Sequence, residues 1–423
     1  MPINLQHLPG SGPKPGPREA IALLAGLMAL NAFAIDAMIP ALPKIGSDLH
    51  VLNDNDRQLV VVAYMLGFGA TQLVWGPLAD RFGRKPVLAA GVGLYAFFAV
   101  LCAIAGSFPL LVAGRFAMGA SAAVTRVLVV AMVRDLFEGE AMARVMSLVF
   151  MVFMVVPVLA PSVGQSILIF APWRAIFIVL AAYGLTMLVW SWFRLPETLH
   201  PEYRRSLAPR EILSAAVETV KEPLSRGYTL ALTVTFGALI AYISTIQQIV
   251  FEVFEAPAAI GVVFGAVAAP MALASWTNAR VVGRYGLRRV GHSGALAFAI
   301  VTVVHALIAT AGYESLPVFI AFQALAMVCF SFCSSNLGTL AMERMGPIAG
   351  TASSVQGVVG TIGGSAVGYA IGQAYDGTAM PFLWGTAACA TVTFVLTVMT
   401  EPKRLFAGPS APEECDHVPE DLG

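Results

Sequence analysis

The sequence predicts an all-α membrane protein whose twelve transmembrane helices fall into two halves of six. Three observations carry that prediction. The 423 residues are 58% hydrophobic and only 12% charged, where a soluble domain carries about 25% charged residues. The charges cluster between apolar runs of about 20 residues, the length that crosses a bilayer as a helix. One long polar segment, residues 194–228, divides six such runs from six more, and a short basic turn recurs on either side of it. The first copy is Arg81-Phe82-Gly83-Arg84-Lys85 and the second Arg284-Tyr285-Gly286-Leu287-Arg288-Arg289. Such an echo is what a duplicated bundle leaves in its sequence. The second copy has Gly283 where the first has Asp80.

Taken in order, residues 1–18 read as a disordered cytoplasmic lead. They lack the basic start, short apolar core and cleavage site of a signal peptide, so the first apolar run is expected to be retained. Spans one to six are expected at 19–41, 58–75, 86–106, 110–133, 145–170 and 174–193, with Pro40 and Pro43 closing the first. Together they form a first bundle, 19–193. In the linker, 194–228, the stretch Arg210–Lys221 sets Ile212, Leu213, Ala216, Val217 and Val220 at helical spacing, as in a helix lying on a membrane surface. Spans seven to twelve are expected at 229–253, 257–282, 289–311, 316–342, 347–374 and 381–400. They form a second bundle, 229–400, followed by a polar cytoplasmic tail, 401–423.

Twenty-five basic side chains balance 25 acidic ones, so the net charge suggests no nucleic-acid partner. The placement of the cations is informative instead. If both termini lie inside, the outer loops hold only Lys44, Arg57 and Arg174, which predicts cytoplasmic termini. The five cysteines show neither zinc-ligand spacing nor a disulfide framework. No phosphate-binding glycine loop, metal cluster or nucleophile motif appears, which argues against an enzyme and leaves an ion gradient as the energy source, with no cofactor.

The stretch Gly76-Pro77-Leu78-Ala79-Asp80-Arg81-Phe82-Gly83-Arg84-Lys85 joins spans two and three. Three cations beside one acid suit a cytoplasmic turn, but topology alone does not need its Gly and Asp spacing. With Leu88 at its end, the stretch resembles the loop 2–3 motif of the major facilitator superfamily, G-x-L-a-D-r-x-G-r-k-x-x-l. The resemblance implies a twelve-helix secondary transporter in which Gly76, Asp80, Arg81, Gly83, Arg84 and Arg134 form an inner gate, Asp80 meeting Arg134 or the end of span five.

Burying a charge in hydrocarbon costs at least about 2.5–3.5 kcal/mol, so ionisable residues inside spans should face a cavity and have partners. Asp36, Arg115 and Arg126 are such residues in the first half. Asp36 near the end of span one and Arg115 near the start of span four are expected at similar depth, where they could pair. Arg126 lies eleven residues further along, on the same face and about 16 Å deeper. Asp36 is open to three readings: a proton site switched by the distance of an Arg, a static pair fixing span one to span four, or a solvated rim carboxylate. A low-dielectric cavity raises a carboxyl pKa and a nearby Arg lowers it, as proton coupling requires.

Asp36 with Pro40 and Leu42-Pro43 resembles the D-x-x-x-P-a-l-P motif of the bicyclomycin and chloramphenicol resistance branch of drug:proton antiporters. Arg115 with Gly119 is similar to its R-x-x-q-G motif, with Met118 in place of Gln. The resemblance gives Asp36 and Arg115 a role in proton coupling. In span five, Pro157 and Pro161-x-x-Gly164 resemble the antiporter motif a-P-x-x-G-g, with Gln165 replacing the second Gly. Proline there bends a helix. A substrate cavity is expected from Asn31, Phe33, Tyr64, Phe68, Met118, Arg126, Phe153, Met154, Phe236, Tyr242, Gln247, Gln248 and Asn336, with flexible Met suiting varied lipophilic ligands.

These features point to a monomeric exporter in a bacterial inner membrane that exchanges small amphipathic, drug-like compounds or metabolites for protons. A proton-coupled metabolite transporter of narrow specificity, importing or exporting, is the first rival reading. A non-transporting receptor or scaffold on the same fold is the second.

Overall fold

A computed structural model describes residues 15–137, 139–199 and 209–408. The lead, most of the tail and residues 200–208 lie outside them. The described chain forms α1 (Pro17–Asp36), α2 (Leu42–Asp48), α3 (Leu59–Phe82), α4 (Arg84–Ala103), α5 (Phe108–Leu136), α6 (Gly139–Phe170) and α7 (Arg174–Arg194), then α8 (Pro209–Lys221), α9 (Pro223–Gln248), α10 (Ile260–Tyr285), α11 (Leu287–Thr310), α12 (Leu316–Met342), α13 (Ala349–Gln373) and α14 (Met380–Thr400). All but α2 and α8 are at least 20 residues long, so twelve helices are long enough to span. Ten helical stretches among the described residues are also apolar enough to do so. They leave out α6 and α13. The latter is made largely of Gly, Ala, Ser and Thr, which lowers hydropathy without adding charge.

Phe97, Ile104, Ile169, Phe193, Val262 and Met399 are all more than half exposed. Such a jacket of large apolar side chains is what a lipid-facing surface requires. The linker contains a helix, α8, over the stretch with helical spacing of its apolar residues.

Several boundaries differ from expectation for identifiable reasons. Span one stops at Asp36, before its prolines. Pro40 and Pro43 instead sit in the first turns of a 3-10 helix, Ile39–Ala41, and of α2, where a missing N–H is harmless. The Gly76–Lys85 stretch is mostly helix, because α3 continues through Pro77 to Phe82. The reversal is Gly83 alone, at φ +104°. Gly286 plays the same part between α10 and α11, at φ +83°. Only glycine adopts such angles without strain.

In the first half α3 packs on α5, α4 on α5 and α7, and α1 on α6. In the second, α9 packs on α13 and α14, α11 on α12 and α14, and α10 on α12. The halves meet chiefly through α3 with α13 and α6 with α10. The end of the bundle with the Gly83 and Gly286 turns is termed the basic end, and the opposite one the far end.

Candidate functional site

Close helix contact at α3 and α5 sets the position of Arg115. A Cβ on Gly67 would fall on the carbonyl oxygen of Phe116, and one on Gly119 on that of Tyr64. The two backbones therefore touch, and Arg115 is carried into the first bundle. It is fully buried. Its Nε donates to the Val60 carbonyl at 2.8 Å and its Nη1 to the Ala34 carbonyl at 3.1 Å. The guanidinium lies 4.5 Å from the Tyr64 ring centroid and 5.9 Å from that of Phe177. Met118 is buried beside it, its sulfur 3.8 Å from Nη1.

The expected match in depth is present, since Arg115 reaches a carbonyl two residues from Asp36. The ion pair is not. Asp36 is 3% exposed and its Oδ1 has no hydrogen-bond partner. Residues 34 and 36 lie about 200° apart around a helix, so the side of α1 that meets Arg115 is nearly opposite to the side bearing the carboxylate. Asp36 instead lies within electrostatic reach of Tyr242 on α9, whose hydroxyl is also buried and unpartnered. The last turn of α1 is held by α6: a Cβ on Gly164 would fall on the Ala37 carbonyl. That contact gives the Pro161-x-x-Gly164 motif a steric reason. Gln165, the departure from the motif, donates to the Pro257 carbonyl at 3.2 Å and so ties the halves together.

Most of the expected cavity residues are engaged elsewhere. Asn31 donates to Thr125 Oγ1 at 2.6 Å and accepts from the Tyr64 hydroxyl at 3.1 Å, a buried polar triad that fastens α1, α3 and α5. Phe33 meets Tyr183 edge-on at 6.1 Å. Phe236 packs where a side chain at Gly364 would be. Asn336 donates to Asn278 Oδ1 at 2.8 Å. Gln247 is buried with both amide atoms unpartnered. The side chains of Phe153 and Met154 lie outside the described set.

The interface between the halves is sealed towards the far end. Gln58 Nε2 donates to Gln248 Oε1 at 2.7 Å and to the Gly372 carbonyl at 3.0 Å. Gln248 donates to Asn55 Oδ1 at 2.9 Å, and Asn55 to the carbonyls of Gln373 and Tyr375 at 3.1 and 2.9 Å. Arg57 pairs with Glu252 at 3.2 Å. The hydrogen bond nearest the basic end is Gln72 to Thr361, at 3.2 Å. Among the described residues no hydrogen bond or ion pair joins the two bundles beyond it. On that side Arg126, Val130 and Arg134 form an exposed stripe along α5. Arg126 lies 6.0 Å from the ring centroid of the buried Phe68. The polar contacts between the halves thus lie towards the far end, and the exposed stripe of α5 lies on the side that lacks them among the described residues.

The chain matches the model of the Major Facilitator Superfamily over residues 24–368. It belongs to that superfamily. Its similarities include a bicyclomycin resistance protein homolog of Haemophilus influenzae, 32% identical over 88% of this chain and 94% of the relative. The multidrug resistance protein MdtL of Escherichia fergusonii is 28% identical over 92% of this chain and 97% of its own. Among solved structures, a D-xylose–proton symporter aligns with TM-score 0.71 at 15% identity, covering 93% of this chain and 99% of its own. The human organic anion transporter MFSD10 aligns with TM-score 0.62 at 18% identity, over 91% and 100%. These two share the fold.

In this superfamily member the loop 2–3 stretch is clasped within its own half. Asp80 pairs with Arg84 at 2.9 Å, and Arg84 Nε with Asp135 at 3.3 Å. Arg134, the expected partner of Asp80, is exposed; the next residue turns inward. Glu197 accepts from the backbone amides of Arg84 and Lys85 at 2.8 and 3.2 Å, a carboxylate on a helix N-terminus. A Cβ on Gly83 would meet that carboxylate. The second half repeats the clasp, with Arg288 bound to Glu343 at 2.6 Å and to Glu401 at 2.9 Å. Sequence reasoning missed Glu197, Glu343 and Glu401. The available signal for Glu197 and Glu401 was an acid just after the last span of each half; Glu343 directly follows α12 instead.

Proposed function

We propose that this chain exports small amphipathic, drug-like compounds in exchange for protons by alternating access, with its basic end facing the cytoplasm. The observation that carries the reading is the enclosed Asp36 carboxyl between the bundles, with no cation paired to it among the described residues. Asp36 holds the coupling proton while the far end is shut. It releases the proton when rearrangement of the α1 end opens that side to water. Arg115 acts on Asp36 as a positioning residue, through the Ala34 carbonyl. The bicyclomycin and multidrug resistance names of full-length relatives support drug-like substrates, and the excess of loop cations at the basic end supports the orientation. The loop 2–3 clasp keeps each bundle rigid as the two rock. A single chain in the inner membrane suffices, driven by the gradient without a cofactor.

The test is bicyclomycin transport in proteoliposomes under an imposed pH gradient. Asp36→Asn should lose gradient-driven accumulation and keep equilibrating exchange. Arg115→Ala should insert and lose coupling. Gradient-driven accumulation at the wild-type level in Asp36→Asn would remove Asp36 as the proton site.

A further inference from the structure

Among the described residues Arg126 is a cation with no answering charge. It sits one residue after Thr125 of the buried triad, yet it is exposed, on the side of the bundle interface that lacks polar contacts among the described residues. Among the described residues it has no ion pair or hydrogen bond. Six carboxylates of the basic end are already engaged: Asp80 and Asp135 with Arg84, Glu19 with Arg194, Glu222 with Arg344, and Glu343 and Glu401 with Arg288. Arg115, on nearly the same face of α5, is sealed, with Nε and Nη1 donating to carbonyls and Nη2 buried without a partner. The two arginines therefore differ in kind: one is tied to the backbone, the other presents free donors to whatever enters.

We propose that Arg126 anchors the carboxylate of an anionic or zwitterionic amphipathic substrate. A guanidinium offers paired N–H donors in a plane that matches a carboxylate, and it stays charged in a partly dry site. The Phe68 ring beside it supplies an apolar wall for the body of such a molecule. This assignment deepens the export reading and rests on it for the basic-end opening being the substrate path.

The experiment uses the full chain in lipid nanodiscs with dansyl-phenylalanine and its methyl ester, which differ only in the carboxylate. The wild type should bind the acid at least about tenfold more tightly than the ester, within the range of one charged hydrogen-bonded pair. In Arg126→Gln that ratio should collapse to within about twofold, and Arg126→Lys should restore part of it. No preference in the wild type, or a preference kept by both variants, overturns the assignment. The same probes in proteoliposomes separate the two claims. Loss of the ratio in Arg126→Gln without pH-driven uptake by the wild type keeps the anion site and sinks proton exchange. pH-driven uptake with equal affinity for acid and ester does the reverse.

Discussion

The far-end seal can be weakened by a calculable amount at Gln58. This side chain is buried, and it donates to two acceptors on the opposite bundle, Gln248 Oε1 and the Gly372 carbonyl. Gln58→Leu keeps nearly the same volume and removes both bonds, leaving two acceptors dry in the closed state and free to bind water in the open one. A net contribution of about 0.5–1.5 kcal/mol per bond gives about 1–3 kcal/mol, or roughly a 5- to 150-fold shift towards the far-end-open state. Gln58 Oε1 is itself buried without a partner, so its loss relieves the closed state and places the expectation in the lower half of that range. The assay is double electron–electron resonance between spin labels at Leu52 and Ala374, both exposed at the far end, in a background without native cysteines. The long-distance population should grow in Gln58→Leu. Populations unchanged within about twofold would refute the argument that these amide bonds hold the far end shut.

Two further outcomes follow from the packing and the charges. Gly119→Ala should separate α3 from α5 and cost about 1–3 kcal/mol of stability, because its Cβ would fall on the Tyr64 carbonyl. Gly76→Ala, whose nearest neighbour would be Val127 at 3.8 Å, should leave the melting temperature unchanged or slightly raised; equal losses in the two variants would contradict the backbone-contact reading. Burial pushes the Glu401 carboxyl up, but hydrogen bonds from Arg288 and Tyr228 outweigh it and hold it below the usual range. A depressed carboxylate stabilises above its unfolded pKa and loses that contribution as pH falls through the folded value. The melting-temperature gap between wild type and Glu401→Gln should thus be full at pH 7 and close below about pH 4.3; a gap independent of pH would exclude this linkage.

The long helices were legible because hydropathy and length suffice to define a span, and the 316–342 span coincides with α12. The depth of Asp36 and Arg115 was legible too, since rise per residue is fixed. Azimuth was not. Whether Arg115 turns to the carboxylate or to the Ala34 and Val60 carbonyls depends on how closely α3 and α5 approach, and that is set by Gly119, one turn after Arg115, together with Gly67 on another helix. The same limit explains Asn31 and Tyr64, which were expected at a cavity and bond each other inside the first bundle. The far-end seal escaped notice because Asn55, Gln58 and Gln373 are ordinary loop and helix-end amides. Nothing local marks the helix of the other half that completes their hydrogen bonds.

The two clasps also bear on how such a chain matures as it emerges from the ribosome into the membrane. Glu197 follows the last span of the first half, yet it secures the start of α4, which was made three spans earlier. Glu401 likewise closes the second half onto Arg288 after α14. Each half thus stays unlocked while its helices are delivered one by one, and the acid that arrives last fixes the set. Vectorial synthesis ends each six-helix unit with its own fastener, so the first unit can be complete before the second begins to insert.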